Sequence, residues 1–254
     1  DDVNRGDGIM PSEEAEQRYP LLTDVSMYNL HGAFYPVSVQ RMAVSMIETH
    51  LASRKIGASQ MMNDFGISWV LVSFSAEICR PMQPDARFVG QTWHTYTRMP
   101  VFRREFIISD EKGPVVIGAT HSTLVDIETR KICTDRTLLH RFDAPSGETL
   151  LHATHRAPIV HAGVEAGRRE VQPSWLDGVG HVNNLRYAEM AYDTLTPEER
   201  RRIEFFRRFD IWFQHELSED GFCRMRKSVA ADSFIICGMI PAAQPAFTAR
   251  MLLC

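Results

Sequence analysis

Residues 175–193, which read WLDGVGHVNNLRYAEMAYD, place an aspartate, a histidine and two asparagines where a helix is predicted to begin. Asp177 and His181 could supply a carboxylate and an imidazole for proton transfer to or from water. The first N–H groups of a helix point outward and could stabilise negative charge on a carbonyl oxygen. This combination favours attack of water on an acyl carbonyl. The structural alternative is a turn whose aspartate caps backbone amides.

A second carboxylate follows the apolar residues 211–213, in a strand predicted over residues 209–217. Burial of Glu216 in such a strand would disfavour the ionised carboxylate and make it a stronger base, as general-base catalysis requires. His181 could then orient Asp177 or the water. The alternative for Glu216 is an ordinary cross-strand ion pair with Arg224 or Arg226.

The elements that would position these residues begin with a helix predicted at residues 37–54, where apolar residues recur every three or four positions. Gly57 follows the helix as a stop signal. Strands rich in β-branched and aromatic residues come next, at residues 69–78, 89–97, 102–109 and 115–125. Met42 and Met46 lie on the predicted helix, where they could line an alkyl tunnel or fill the core.

The same order of elements then repeats. A strand near residues 168–171 and a turn at 177–180 lead into a helix predicted at 184–195. Thr196, Pro197 and Glu199 form the capping signal of a further short helix. Strands are predicted at residues 209–217, 222–227, 234–240 and 247–252. The repeat predicts an α+β fold in which each of two long helices is wrapped by an antiparallel sheet.

The repeat divides the chain into two units. We expect a mobile leader over residues 1–18 and an N-terminal unit over residues 19–137. A poorly patterned connection over residues 138–160 joins it to a C-terminal unit over residues 161–254. The two units agree in pattern and not in residue identity, and they would pair within one chain as a pseudo-dimer.

The segment at residues 175–193 closely resembles the D-x-N-x-H-V-N-N-x-x-Y signature of the acyl-acyl carrier protein (acyl-ACP) thioesterases, a double hotdog family. Further blocks follow in the family's order: GISWVL at 66–71, RREFII at 103–108, LVDIETRK at 124–131 and FQHEL at 213–217. The resemblance covers about residues 20–252. It implies a tandem (double) hotdog that hydrolyses fatty acyl-ACP to a free fatty acid and the carrier protein, and a cytoplasmic enzyme of lipid metabolism.

The resemblance also assigns site residues. Asp177 and His181 fall on the family's catalytic aspartate and histidine, and Glu216 falls on the glutamate of its later strand. Asn183 and Asn184 would contact substrate, although asparagines at a helix start also cap it by default.

Two positions depart from the family pattern. Val179 stands where the family usually has a catalytic asparagine, and Leu217 stands where some plant members have a cysteine. A cysteine nucleophile at residue 217 is therefore excluded. The valine keeps open a non-catalytic acyl-binding module, and an acyl-coenzyme A thioesterase is the nearest enzymatic alternative.

Composition excludes several other classes. The 254 residues carry 28 basic and 32 acidic side chains, so there is no overall positive field for nucleic acid or an anionic membrane. No apolar run is long enough to span a bilayer. Five widely spaced cysteines favour a reducing compartment. We expect no metal or cofactor, because cysteine clusters, histidine pairs at i, i+4 and glycine-rich phosphate loops are missing from the sequence.

The expected partner is an acyl carrier protein, and association into a homodimer is compatible with the fold. The most basic stretch, residues 200–208, contains five arginines and could dock an acidic carrier. Glu198 and Glu199 lie close enough in sequence to make a self-paired surface the alternative.

Overall fold

A computed structural model describes residues 17–140, 142, 145–159, 163–178 and 180–254. All but the last two residues of the expected leader, residues 1–18, therefore lie outside the described part of the chain, and so does Val179.

The described strands form one ten-stranded sheet in the order β1-β3-β4-β5-β2-β7-β10-β9-β8-β6. The strands are β1 (Tyr19–Leu21), β2 (Ile67–Ile78), β3 (Phe88–Arg98), β4 (Val101–Asp110), β5 (Gly113–Asp126), β6 (Val164–Glu170), β7 (Arg208–Phe213), β8 (Phe222–Val229), β9 (Ser233–Met239) and β10 (Pro245–Leu252). Every pairing between these strands is antiparallel. The predicted α+β class with a large antiparallel sheet is confirmed.

The described helices are α1 (Pro36–Ser53), α2 (Ala58–Phe65), α3 (Arg136–His140), α4 (Asn184–Asp193) and α5 (Pro197–Arg202), with short 3-10 turns at Val25–Met27 and Pro173–Trp175. Helix α1 begins with Pro36, whose missing N–H costs nothing in a first turn. Thr196 and Glu199 form the predicted capping box of α5.

Several elements differ from the sequence expectations. Strand β7 ends at Phe213, four residues before the predicted end, so Glu216 lies beyond the sheet. Helix α4 ends at Asp193 because the Thr194 hydroxyl donates to the Met190 carbonyl at 2.7 Å and the helix stops there. The short helices α2 and α3 were not predicted, because eight- and five-residue helices carry little periodicity.

The two long helices lie side by side on the inner face of the sheet. The rings of Tyr35 and Tyr192 meet edge to face with centroids 5.2 Å apart. Along the same contact, the Arg41 guanidinium lies 3.7 Å from the Glu189 carboxylate. Buried residues from both halves of the chain belong to one hydrophobic core, so neither helix is buried by its own strands alone.

The connection between the halves crosses the outer face of the sheet. Trp93 Nε1 donates to the Glu148 carbonyl at 2.9 Å, Arg103 Nη1 to the Ala153 carbonyl at 3.0 Å, and Trp212 Nε1 to the Thr154 carbonyl at 2.8 Å. The donors lie on strands of both halves. Residues 145–159 therefore act as a strap that covers polar side chains which an open sheet would expose to water.

Two ionisable side chains of the outer face are deeply buried by this arrangement. Burial raises the pKa of Glu105, although Arg103 Nε donates to its carboxylate at 2.5 Å. His121 is 2% exposed, and its Nδ1 lies 2.9 Å from the Ser73 hydroxyl. Burial, with smaller effects from the charges of Arg103 and His155, lowers the pKa of His121 to about 3. His121 is therefore neutral in the folded protein at neutral pH.

We expect the free energy of unfolding to decrease as the pH falls from 6.5 to about 5. An unfolded His121 would bind a proton near its ordinary pKa of 6.5, whereas the folded protein binds it only near about 3. The stability contribution is complete above pH 6.5 and is lost below it, by at most about 1.4 kcal/mol per pH unit. Urea denaturation at a series of pH values measures this slope. His121→Gln should flatten it, while His31→Gln, at an exposed site, should not; equal slopes in both variants would contradict the assignment.

Candidate active site

The segment before α4 folds into a closed turn. The Asp177 N–H donates to the His181 carbonyl at 2.8 Å, and the Gly180 N–H donates to the Asp177 carbonyl at 3.0 Å. The Asp177 carboxylate accepts from the His181 N–H at 3.2 Å. Gly180 has a φ of +81°, a left-handed conformation that disfavours any side chain. One carboxylate oxygen of Asp177 therefore caps a backbone amide, as the structural alternative predicted. The turn also sets the direction in which the His181 side chain points.

The two asparagines have different surroundings. Asn183 is the N-cap of α4, because its side-chain oxygen accepts from the Leu185 N–H at 3.0 Å and its own N–H donates to the Trp175 carbonyl at 2.9 Å. Asn184 is the first residue of the helix and lines a cavity. Helix capping accounts for Asn183, whereas Asn184 remains the candidate for substrate contact.

Glu216 reaches the same place from the segment after β7. The Val182 N–H donates to the Leu217 carbonyl at 3.1 Å, and the Leu217 N–H donates to the Tyr187 hydroxyl at 3.2 Å. These bonds tie the segment to the turn and to α4. Burial raises the pKa of Tyr187, which keeps its hydroxyl protonated. The Glu216 side chain itself is 56% exposed, so the expectation of a carboxylate buried within a strand is wrong.

Arg130 connects the two sides of the site. Its Nη2 donates to the Glu216 carboxylate at 2.5 Å and also to His181 Nε2. His181 Nε2 lies 3.4 Å from the same carboxylate. A guanidinium has only donors, so His181 Nε2 is the acceptor in this contact. The ion pair of Glu216 is therefore with Arg130, and not with Arg224 or Arg226.

The turn after β5 holds Arg130 in place. Its φ of +60° is unusual for a residue with a side chain. The Arg130 N–H donates to the Asp126 carbonyl at 2.9 Å, and the Asp126 carboxylate accepts from the Thr129 N–H at 2.7 Å. Sequence reasoning missed Arg130, although it lies in the LVDIETRK block, because nothing in the sequence pairs it with residues 181 and 216.

A cavity of about 180 Å³ lies between α1 and the inner face of the sheet, beside the start of α4. Most of its wall is apolar, and it also contains polar side chains from β3, β4 and β5. The lining residues are Val44, Ile47, Glu48, Leu51, Ile56, Trp69, Leu71, His94, Phe102, Arg104, Thr120, Ser122, Phe142 and Asn184. Asn184 links this cavity to the turn that carries Asp177 and His181.

Met42 and Met46, predicted to line an alkyl tunnel, face a different part of the molecule. Both are buried in the core and line a groove of about 390 Å³ next to β1. Met46 packs over Gly90 of β3, where an added Cβ would lie 2.1 Å from the methionine sulfur. On helix α1 it is Ile47 and Leu51 that line the cavity next to Asn184.

The basic stretch at residues 200–208 is largely engaged within the protein. Arg201 pairs with Glu198 at 3.2 Å, and Arg202 donates to the Ala230 carbonyl at 3.1 Å. The self-paired interpretation therefore holds for Arg201, whereas Arg202 bonds to a backbone carbonyl and Glu199 pairs with Lys227. Among the described residues there is no cluster of three or more metal-binding side chains. No described helix has the length and apolar character needed to cross a bilayer.

Comparisons with known proteins give a family match and a fold match. A family model described as the acyl-ACP thioesterase N-terminal domain matches residues 24–136. No curated protein matches the sequence. The structure is similar to that of an acyl-ACP thioesterase from Bacteroides thetaiotaomicron, with a TM-score of 0.80 and 16% identity over 93% of this chain and 96% of that chain. A 12:0-ACP thioesterase from Umbellularia californica gives a TM-score of 0.80 and 15% identity over 93% and 96% of the two chains. At this identity, these structures establish a shared fold.

The turn at Gly180 generates a stability prediction. Gly180→Ala should lower the free energy of unfolding by about 1–2 kcal/mol, because a Cβ is disfavoured in the left-handed region even where space is open. Denaturant unfolding followed by circular dichroism measures the loss. Gly178→Ala is the matched control, since a Cβ there also meets nothing within 4 Å and its φ is not left-handed. Equal losses in the two variants would show that the turn does not require the left-handed residue.

Proposed function

We propose that this chain, which belongs to the acyl-ACP thioesterase family through residues 24–136, hydrolyses fatty acyl-ACP to a free fatty acid and the carrier protein. The observation that carries the proposal is the contact among Arg130, His181 and Glu216, next to a helix start and a cavity. That combination supplies a carboxylate base, an imidazole, an amide donor and room for an acyl chain.

In the proposed reaction a water molecule attacks the thioester carbonyl while the Glu216 carboxylate accepts a proton from it. The electron pair of the carbonyl moves to its oxygen, and the backbone N–H of Asn184, the first residue of α4, stabilises the oxyanion. Collapse of the tetrahedral intermediate breaks the carbon–sulfur bond. The thiolate of the carrier leaves and receives the proton from Glu216. Neither a metal nor a cofactor takes part in these steps.

His181 and Asp177 have supporting roles in this proposal. His181 Nε2 lies 3.4 Å from the Glu216 carboxylate, and because both groups accept hydrogen bonds, a water between them could donate to each and be held in place. Asp177 accepts from the His181 N–H and places a negative charge beside the helix start. The Asp177 carboxylate makes this end of the site negative, and the positive end of the α4 helix dipole partly offsets that charge.

The cavity beside Asn184 is the proposed acyl site. It lies under α1, whose residues Ile47 and Leu51 present apolar side chains to it. An acyl carbonyl near the first turn of α4 would have its chain directed into this space. The structurally similar Umbellularia protein is a 12:0-ACP thioesterase, which supports a carrier-bound acyl substrate for a protein of this fold.

The architecture proposed for the whole chain is a double hotdog, with units at residues 19–137 and 161–254. Support comes from α1 and α4, each of which lies against antiparallel strands of its own half. The pairing of β2 with β7 would then join the two units into one pseudo-dimer.

We expect Asp177→Asn and Glu216→Gln each to lower kcat by about a hundredfold or more while binding of acyl-ACP persists, because general acid–base help is lost without loss of contact area. Release of free thiol from a series of acyl-ACP thioesters measures kcat, and acyl-coenzyme A measured in parallel tests the alternative carrier. Glu219→Gln is the control, since it removes an exposed carboxylate from the same segment. Full activity in both site variants would place the reaction elsewhere.

The contact of Arg130 predicts a positioning role. Arg130→Gln should reduce kcat by about tenfold or more with a smaller change in KM, because Glu216 and His181 lose the group that holds them together. Arg130→Lys should recover only part of the rate, since an ammonium cannot bridge both partners as a guanidinium fork does. Lys131→Gln, a change of charge at the exposed neighbour, is the control. A wild-type kcat in Arg130→Gln would overturn the role.

A further inference from the structure

The floor of the cavity beside Asn184 carries a row of polar side chains. His94 on β3 lies directly opposite Arg104 on β4, and Arg104 lies directly opposite Thr120 on β5. Side chains of directly opposed residues point to the same face of a sheet and lie about 5 Å apart. All three line the cavity, and so does Ser122, two residues beyond Thr120 on the same face. Three adjacent strands therefore present a continuous polar surface to the proposed acyl site.

This polar surface is held in a fixed orientation. His94 Nε2 lies 3.1 Å from the Thr97 hydroxyl, and Arg104 Nη1 lies 3.5 Å from the Thr92 hydroxyl. His94 is 5% exposed and Thr120 is 3% exposed, so the floor belongs to the interior of the protein. Opposite the floor, helix α1 presents the apolar side chains of Ile47 and Leu51. The cavity thus has one apolar wall and one polar wall.

A plain alkyl chain suits only the apolar wall. It would cover the Thr120 and Ser122 hydroxyls and return no hydrogen bond to them, which is unfavourable for each hydroxyl covered. A chain that carries an oxygen substituent would cover the apolar wall with its methylene groups and meet the floor with its oxygen. The charges also bear on the choice. Arg104 and Glu48 both line the cavity, so its lining carries one formal charge of each sign, which favours a neutral oxygen over a carboxylate.

We infer that the acyl group accepted by this cavity carries a hydroxyl or oxo substituent that hydrogen-bonds to the floor formed by His94, Arg104, Thr120 and Ser122. This inference rests on the proposed thioesterase function and specifies its substrate class. A hydroxyl can donate or accept and an oxo group accepts, and the floor contains donors for both.

The test is a panel of acyl-ACP substrates of one chain length that differ only in the oxygen substituent: saturated, 3-hydroxy, 3-oxo, terminal hydroxy and terminal carboxylate. We expect kcat/KM for at least one hydroxy or oxo substrate to exceed that of the saturated substrate by about tenfold or more, because a site built for a hydrogen bond discriminates against the ligand that lacks it. Equal or higher kcat/KM for the saturated substrate, or a preference for the carboxylate, would overturn the inference.

Variants of the floor test the same point from the protein side. Thr120→Val and Ser122→Ala remove hydroxyls with little change of shape, and each should lower the ratio of oxygenated to saturated kcat/KM by about fivefold to tenfold. Ser109→Ala on β4 is the matched control, because it removes a hydroxyl that does not line the cavity. Thermal unfolding of each variant confirms that the fold is retained. Unchanged ratios in folded Thr120→Val and Ser122→Ala would show that the floor does not contact the substrate.

Failure of this inference differs from failure of the proposed function. Hydrolysis of all substrates without an oxygen preference would leave the thioesterase function standing and remove the inference. If no thioester is hydrolysed, the proposed function fails, and calorimetric binding of non-hydrolysable acyl amides, saturated against hydroxylated, decides whether the cavity selects oxygen. Tighter binding of the hydroxylated amide would support the polar floor, and equal or weaker binding would reject it.

Discussion

Strands β2 and β7 pair antiparallel, from Ser73 opposite Trp212 to Glu77 opposite Arg208. This short pairing joins the strands of the first half to those of the second and makes one continuous sheet. Because the sheet is continuous, α1 and α4 must share its inner face, and their buried residues form one core. A change that separated β2 from β7 would expose both helices at once. The core and the site therefore depend on the same few backbone hydrogen bonds.

The residues of the candidate site come from both sides of that junction. Arg130 comes from the turn after β5, whereas His181 and Glu216 come from the segments before α4 and after β7. The Arg130 and Glu216 side chains are 46% and 56% exposed, and an ion pair so exposed to water contributes little to folding stability. The ion pair instead determines where its two side chains lie. The guanidinium bonds to both the His181 ring and the Glu216 carboxylate and holds them at one position.

The strap at residues 145–159 explains how the sheet can have polar residues on both faces. Its carbonyl groups accept from Trp93, Arg103 and Trp212, donors that the strap itself removes from water. Because a buried donor without a partner costs about 1–3 kcal/mol, these bonds offset the cost of that burial. The segment expected to be a linker is therefore part of the folded unit. It also crosses from the first half to the second, and it reinforces the β2–β7 junction from outside.

The sequence by itself determined the local features. The helix at residues 36–53, the capping box of Thr196 and the repeated order of strands follow from periodicity and capping chemistry, which act over a few residues. The motif at residues 175–193 likewise indicated the turn and the start of α4. Only the tertiary structure decided which groups meet. Arg130 reaches His181 and Glu216 across 51 and 86 residues, and no local pattern encodes such a contact.

The structure likewise decided what faces the cavity. Met46 and Ile47 are neighbours on one helix, yet the first packs over Gly90 and the second lines the cavity beside Asn184. Hydropathy treats the two residues alike, and only the packing of α1 between the sheet and α4 fixes its rotation. In the same way, β7 ends at Phe213, so Glu216 lies outside the predicted strand, exposed to water and paired with Arg130. Periodicity shows which face of an element is apolar, whereas the partners of that face are set by contacts distant in sequence, which have no local signature.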